Sequence, residues 1–320
     1  MRFTSGLAIL STAALLASGC SAFSEGGGEA SGGSGGPTVA AAFYPLAWLT
    51  ERVTEGTGAD VELLTSPGSE PHDLELDVAK TAQVAEADLV VYEADFQPAV
   101  DDTIAQNAQG DTLDVAALAD LLPVDESAEE HEEHAGEEEG EHDHDHDHGG
   151  LDPHFWQDPV RVADVADAVA GELASLDEDN ADTYRENAAA LRKDLEALDA
   201  SYAAGLADCE RDTIVVSHDA FGYLEKYGLH IASIVGLSPD AEPTAAVLGE
   251  LQDLIKEEGI TTVFSEPLKP ALGEGIASDL GLTNGVLDPI EGLSDATSGE
   301  DYLSLMKSNL AALQTANGCR

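Results

Sequence analysis

"NADTYRENAAALRKDLEALDASYAAGL" (Asn180–Leu206) decides the fold. Its apolar positions Tyr184, Ala188, Leu191, Leu195, Leu198 and Tyr202 recur at alternating steps of four and three. That spacing lays one continuous stripe along an α-helix. About 27 residues rising ~1.5 Å each make a rod of roughly 40 Å. Such a rod is long for a helix inside one small domain and suits a strut between two.

The chain reads alike on both sides of the strut. Before it, "TVAAAF", "DVELLT", "DLVVYE" and "DTLDVA" read as short strands. Helical stretches such as "PLAWLTERVTEG", "LDVAKTAQVAEA" and "FQPAVDDTIAQNA" alternate with them, and "PVRVADVADAVAGELASL" is a helix just before the strut. After it, "TIVVS", "HIASIVGL", "TTVFSE" and "NGVLD" are strands. The segments "DAFGYLEKYG", "PTAAVLGELQDLIKEEG" and "KPALGEGIASDLG" are expected as the helices between them. Strands alternating with helices mean βα units and parallel sheets. The expected architecture is α/β: two lobes, each a parallel sheet flanked by helices, joined by one long linker helix. Ligands of open parallel sheets bind beyond the carboxyl ends of the strands. The cleft between two such lobes is therefore the natural site.

The chain ends tell where the protein works. Met1 and Arg2 precede the apolar run "LAILSTAALLAS", which ends at "ASGCS". This reads as a lipoprotein signal over residues 1–19, with Cys20 as the lipidated residue. The Gly/Ser-rich residues 20–36 read as a flexible tether. The remaining partition is a first lobe over 37–177, the linker over 178–207 and a second lobe over 208–320. Export to an oxidising compartment makes Cys209 and Cys319 candidates for a disulfide, worth up to about 4–5 kcal/mol in a chain-entropy account. The formal charge of -51 argues against nucleic acid or an anionic surface as partner.

"ESAEEHEEHAGEEEGEHDHDHDHGG" interrupts the first lobe over residues 125–150. It has almost no apolar residues and cannot build a core, so it is expected to be a disordered insertion. His131, His134, His142, His144, His146 and His148 lie in it. They offer many weak metal sites, because ordering a flexible loop costs entropy at each binding event.

Four other residues are better placed. His72 follows strand "DVELLT", His218 directly follows "TIVVS", and Asp288 ends "NGVLD"; His154 precedes a helix in "LDPHFWQDP". Two come from each lobe. Three imidazoles and one carboxylate can close a tetrahedron around Zn²⁺.

Taken together, "SEPHDLELD", a His-rich acidic insert, "DPHFWQDP", the long helix, "VVSHDAFGYL", "VFSEPL" and "LDPIEGL" resemble the metal-specific solute-binding proteins of zinc and manganese ABC importers. The resemblance runs from about Pro37 to Cys319. It implies a cluster A-I type solute-binding fold whose metal sits between the lobes, on His72, His154, His218 and Asp288. His218 stands where manganese members tend to carry Glu, which points to the zinc subgroup. A Glu near the first His, or water, completes the set in some zinc members, so Glu70 and Glu266 are alternative ligands or hydrogen-bond partners of the ligands.

The resemblance further implies a monomeric, extracytoplasmic, lipid-anchored protein on the outer face of the cell membrane. It would capture Zn²⁺ and deliver it to an ABC permease with its ATPase. Transport of Mn²⁺, and a role as surface adhesin or metal buffer, are the alternatives. An enzyme is not expected: no "HExxH" is present, and the four candidate ligands come with no clear general base.

Overall fold

The computed structural model describes residues 35–124 and 150–320. The signal segment, Cys20, most of the tether and the six histidines of the insert lie outside the described residues.

The first sheet contains β1 (Thr38–Ala41), β2 (Asp60–Leu63), β3 (Leu89–Tyr92) and β4 (Asp111–Asp114). Its order is β2-β1-β3-β4, with every pair parallel. Central β1 and β3 are almost wholly buried, whereas edge strands β2 and β4 carry Asp60, Glu62, Asp111 and Asp114. A parallel strand covered on both faces reads as an apolar run, and only the edge tolerates charge. Helices α1 (Tyr44–Thr54), α2 (Val78–Glu86) and α3 (Pro98–Asn107) connect these strands, followed by the single turn α4 (Ala116–Ala119). Pro45 and Pro98 open α1 and α3, where a missing N–H costs nothing. Asp77 caps α2 by accepting from the Lys80 N–H.

A two-stranded antiparallel ribbon follows, β5 (Leu122–Pro123) on β6 (Leu151–Asp152). It brackets the insert. Beyond it come a 3₁₀ turn at Phe155–Gln157 and α5 (Pro159–Leu176), capped by Asp158.

The strut is α6 (Ala181–Gly205), one residue shorter at each end than expected. The six stripe residues are all buried. Each buried leucine among them contributes about 1.5–3 kcal/mol. The helix leans on both halves of the molecule. Arg192 pairs with Asp164 and Asp167 of α5, and Asn187 donates to the Val53 and Glu55 carbonyls at the end of α1. At the far end, the Tyr202 hydroxyl donates to the Met306 carbonyl at 2.6 Å.

The second sheet contains β7 (Thr213–Val216), β8 (His230–Ser233), β9 (Thr262–Ser265) and β10 (Thr283–Val286). Its order is β10-β9-β7-β8, again parallel. Helices α7 (Ala245–Glu258) and α8 (Ala271–Leu280) flank it. The expected helix over 219–228 is instead a 3₁₀ turn at Gly222–Tyr227. Left-handed Gly228 ends it early, and the Ala220 N–H to His218 carbonyl turn delays its start.

One helix escaped the sequence reading: α9 (Tyr302–Asn317). A reciprocal capping box between Asp301 and Ser304 starts it, and left-handed Gly318 ends it. Buried Leu305, Met306, Leu310 and Leu313 are at helical spacing. The expected disulfide forms between Cys209 and Cys319, 110 residues apart, and ties the end of α9 to the chain just before β7. The large apolar core runs through both halves, from Val39 to Ala316. A smaller one gathers Val215 and Val263 of the second sheet with Leu251 and Ile255 of α7 and Ala277 of α8.

Candidate metal centre

Loops beyond four strand ends converge on one point. His72 lies after β2, in a loop turned by Gly68 at φ +78 and pinned where Gln97 Nε2 donates to the Pro71 carbonyl. His154 follows β6. His218 follows β7, and Glu291 lies five residues past β10. His154 and His218 are wholly buried, Glu291 is 1% exposed and His72 8%, so His72 is the side nearest to solvent. Among the described residues these four form the group able to hold a metal ion, with one donor atom each and all four atoms within 4.8 Å.

The spacing is specific. Glu291 Oε1 lies 3.4 Å from His72 Nε2, 3.3 Å from His154 Nε2 and 3.1 Å from His218 Nε2. His72 Nε2 and His154 Nε2 are 3.4 Å apart. Ligands of a tetrahedral zinc with bonds of about 2.0–2.1 Å stand about 3.3 Å from one another. Four edges of that tetrahedron are therefore already in place.

Two of the imidazoles are held by carboxylates. Asp152 Oδ1 accepts from both the backbone N–H and Nδ1 of His154, at 2.9 and 2.7 Å. Glu266 Oε1 accepts in the same way from His218, at 3.1 and 2.7 Å. A carboxylate on Nδ1 fixes the proton there and leaves the Nε2 lone pair for a metal. The β5–β6 ribbon is itself clamped from the second half. The Tyr223 hydroxyl donates to the Asp152 carbonyl and accepts from the Leu122 N–H.

Electrostatics follow from this arrangement. Burial lowers the His154 pKa, but Asp152 and Glu291 outweigh it and hold the group up at about 9. For His218 burial is likewise overcome by the charges of Glu266 and Glu291, and the pKa rises well above the ordinary value. Burial wins at His72, which falls to about 4 despite Glu291. Burial pushes Glu291 up, yet His218, His154 and His72 pull it well below the usual carboxylate range. Phe96 and Trp156 wall the site, with ring centroids 4.8 Å from His72 and 5.2 Å from His154. Such walls keep the dielectric low and strengthen a bound charge's interactions.

The structure thus brings His72, His154 and His218 together but not Asp288. Asp288 Oδ1 instead accepts from the Ile290 N–H at 2.8 Å. Its backbone is bonded on both sides by the Asn309 amide. Glu291 occupies the fourth corner in its place. The chain turns through Ile290 at φ +61 between the two acids, with Asp288 bonded to the Ile290 N–H and Glu291 Oε1 3.1 Å from His218 Nε2. Glu266 braces His218. Glu70 Oε1 accepts from the His72 N–H at 3.3 Å, and burial and Glu291 raise its pKa to about 8. Neither belongs to the four-residue group. Glu291 and Asp152 were not singled out from the sequence, although both stand in quoted stretches, "LDPIEGL" and "DPHFWQDP". No spacing rule separates two carboxylates three residues apart in a loop.

A family profile described as "ZnuA: Zinc-uptake complex component A periplasmic" matches residues 39–316. The zinc-binding lipoprotein AdcA of Streptococcus pneumoniae is 36% identical over 308 residues, covering 94% of this chain and 60% of that protein. This chain therefore spans about 60% of the length of that relative. The high-affinity zinc uptake system protein ZnuA of Bacillus subtilis is 34% identical over 315 residues, covering 97% and 96%. Zn(II)-bound AdcA of S. pneumoniae superposes with a TM-score of 0.71 at 32% identity, over 88% of this chain and 58% of that one. The laminin binding protein Lmb of Streptococcus agalactiae, titled a bifunctional protein with adhesin and metal transporting activity, gives 0.74 at 27% identity, over 88% and 99%. A match of this extent, on a fold and a His-rich cleft of this kind, means that the chain belongs to the ZnuA family of zinc-uptake components.

Proposed function

We propose that this protein captures Zn²⁺ in the cleft between its two sheets and delivers it to an ABC permease with its ATPase. His72, His154, His218 and Glu291 are the proposed ligands. The observation that carries the reading is a buried group of four donor atoms within 4.8 Å of one another, four of whose six separations, 3.1 to 3.4 Å, match the edges of a zinc tetrahedron. Three neutral imidazoles and one carboxylate leave a bound Zn²⁺ with a net charge of about +1. That is compatible with burial and with later release. A nitrogen-rich set favours Zn²⁺ over Mn²⁺, which prefers oxygen.

The names of the relatives support zinc as the cargo and a membrane-tethered life. Lipidation at Cys20, attachment to the outer face of the membrane, a monomeric state and an auxiliary collecting role for the insert are parts of the same proposal. So is the partition into lobes 37–177 and 208–320 about the linker 178–207. No described helix is long and apolar enough to cross a membrane. Metal analysis and competition titration of the purified protein test the proposal. One tight zinc per chain, lost in His218→Ala, is the expected result, and tight zinc retained in that variant refutes the site. A second role in adhesion draws on the likeness to Lmb, and a laminin-binding assay checks it.

A further inference from the structure

The loop that carries Glu291 is fixed from two sides. From its own half, Asp288 Oδ1 accepts the Ile290 N–H at 2.8 Å, and Asn309 of α9 accepts from the Asp288 N–H and donates to its carbonyl. From across the cleft, Trp156 Nε1 and Gln157 Nε2 both donate to the Pro289 carbonyl, at 2.8 and 2.6 Å. The Tyr302 hydroxyl in turn donates to the Trp156 carbonyl at 2.5 Å. Between these anchors sits Ile290, fully buried and at φ +61. A β-branched residue in the left-handed region is an outlier that persists only where its surroundings over-determine it. Gln157 is also fully buried, and its Oε1 finds no partner among the described residues. A buried amide with an orphaned acceptor costs stability, so this side chain is there for its N–H donor.

We propose that Trp156 and Gln157 are positioning residues for Glu291. By holding the Pro289 carbonyl across the cleft, they keep Ile290 left-handed and its neighbour's carboxylate against the three imidazoles. When the two halves part, both bonds to Pro289 are lost, Ile290 relaxes to negative φ, and Glu291 swings away from the metal. His154 and the clamp belong to one short stretch, "HFWQ", so the first half grips the metal and the opposing ligand loop together. The inference rests on the zinc-site reading above.

Release of zinc from the loaded full chain to a chromophoric chelator, followed by stopped flow, tests it. In Gln157→Leu, release is expected to be about tenfold faster, in the range seen for outer hydrogen-bond partners of metal ligands. The melting temperature of the metal-free chain should not fall, because the orphaned acceptor is gone. Trp156→Phe removes the other donor and should also speed release. In the Gln157→Leu background, Ile290→Gly and Ile290→Ala both remove the buried branched side chain beyond Cβ, but only glycine also removes Cβ and with it the cost of positive φ. The glycine variant should then release zinc about tenfold more slowly than the alanine variant. Wild-type release in both Gln157→Leu and Trp156→Phe, or identical release by the glycine and alanine variants, overturns the proposal. A wild-type chain that binds zinc no better than His218→Ala overturns the site reading itself, and this inference with it.

Discussion

His154 and His218 are held by the same device, built in two ways. In each, one carboxylate oxygen accepts from both the backbone N–H and Nδ1 of the histidine. For His154 that oxygen belongs to Asp152, two residues earlier, on the ribbon that Tyr223 clamps. For His218 it belongs to Glu266, 48 residues later, at the end of the neighbouring strand β9. The local brace depends on a short loop keeping its shape, and the distant one on two strands keeping their register. His72 contrasts with both. It is the most exposed of the three, and burial rather than a carboxylate sets its pKa. Two imidazoles are thus presented rigidly, while the third stands nearest to solvent.

The largest effect should come from removing a ligand. His218→Ala is expected to lower zinc affinity by roughly two to three orders of magnitude, about one ligand's share of a zinc site's binding energy. Competition titration reads this, and a loss smaller than that caused by removing a brace would mean that His218 is not a ligand.

Next comes the pair of carboxylates in one loop. Glu291→Gln keeps the shape but removes the charge at the fourth corner, and should weaken zinc by about a hundredfold. Asp288→Asn keeps an oxygen for the Ile290 N–H, so affinity should stay within about threefold. The opposite ranking would return the metal to Asp288.

The braces themselves should matter less. Asp152→Asn and Glu266→Gln are each expected to cost about 10–100-fold in affinity by loosening the imidazole and its tautomer. Equal losses would show that the two constructions hold equally well. A smaller loss for Asp152→Asn would show that the Tyr223-clamped ribbon holds His154 without the side chain.

The smallest effect is in the pH dependence of the metal-free chain, read as melting temperature with a chelator present. His154 and His218 have pKa values above the ordinary 6.5, so their contributions are full below about 6.5; that of His154 fades as pH rises toward about 9, and that of His218 is likewise lost on the alkaline side. His72 falls to about 4, so its contribution is present above 6.5 and fades as pH drops through the window from 6.5 to 4. Stability should peak between these limbs. Asp152→Asn should flatten the alkaline limb while sparing the acid one, and an unchanged alkaline limb would deny the brace its electrostatic role.

Much of the molecule follows from local pattern. The stripe from Tyr184 to Tyr202, the apolar runs of β1, β3 and β7, His72 and His218 after strands and His154 before a helix are short-range features. Periodicity and the placement of residues at element ends therefore determined the two-sheet fold, the long helix and three members of the buried group His72, His154, His218 and Glu291. Helix α9 is legible in the same way, in its capping box and apolar spacing.

The fourth corner was decided otherwise. Asp288 and Glu291 are two acids in one loop, equally plausible by composition. The turn at Ile290, the Asn309 contacts and the cross-cleft bonds to Pro289 select between them. The Glu266 brace depends in the same way on β9 lying beside β7. A side chain's direction is the sum of a loop's dihedrals, and here those dihedrals answer to partners more than a hundred residues away. The sequence by itself determined which elements form; only the tertiary structure decided which carboxylate joins the three imidazoles.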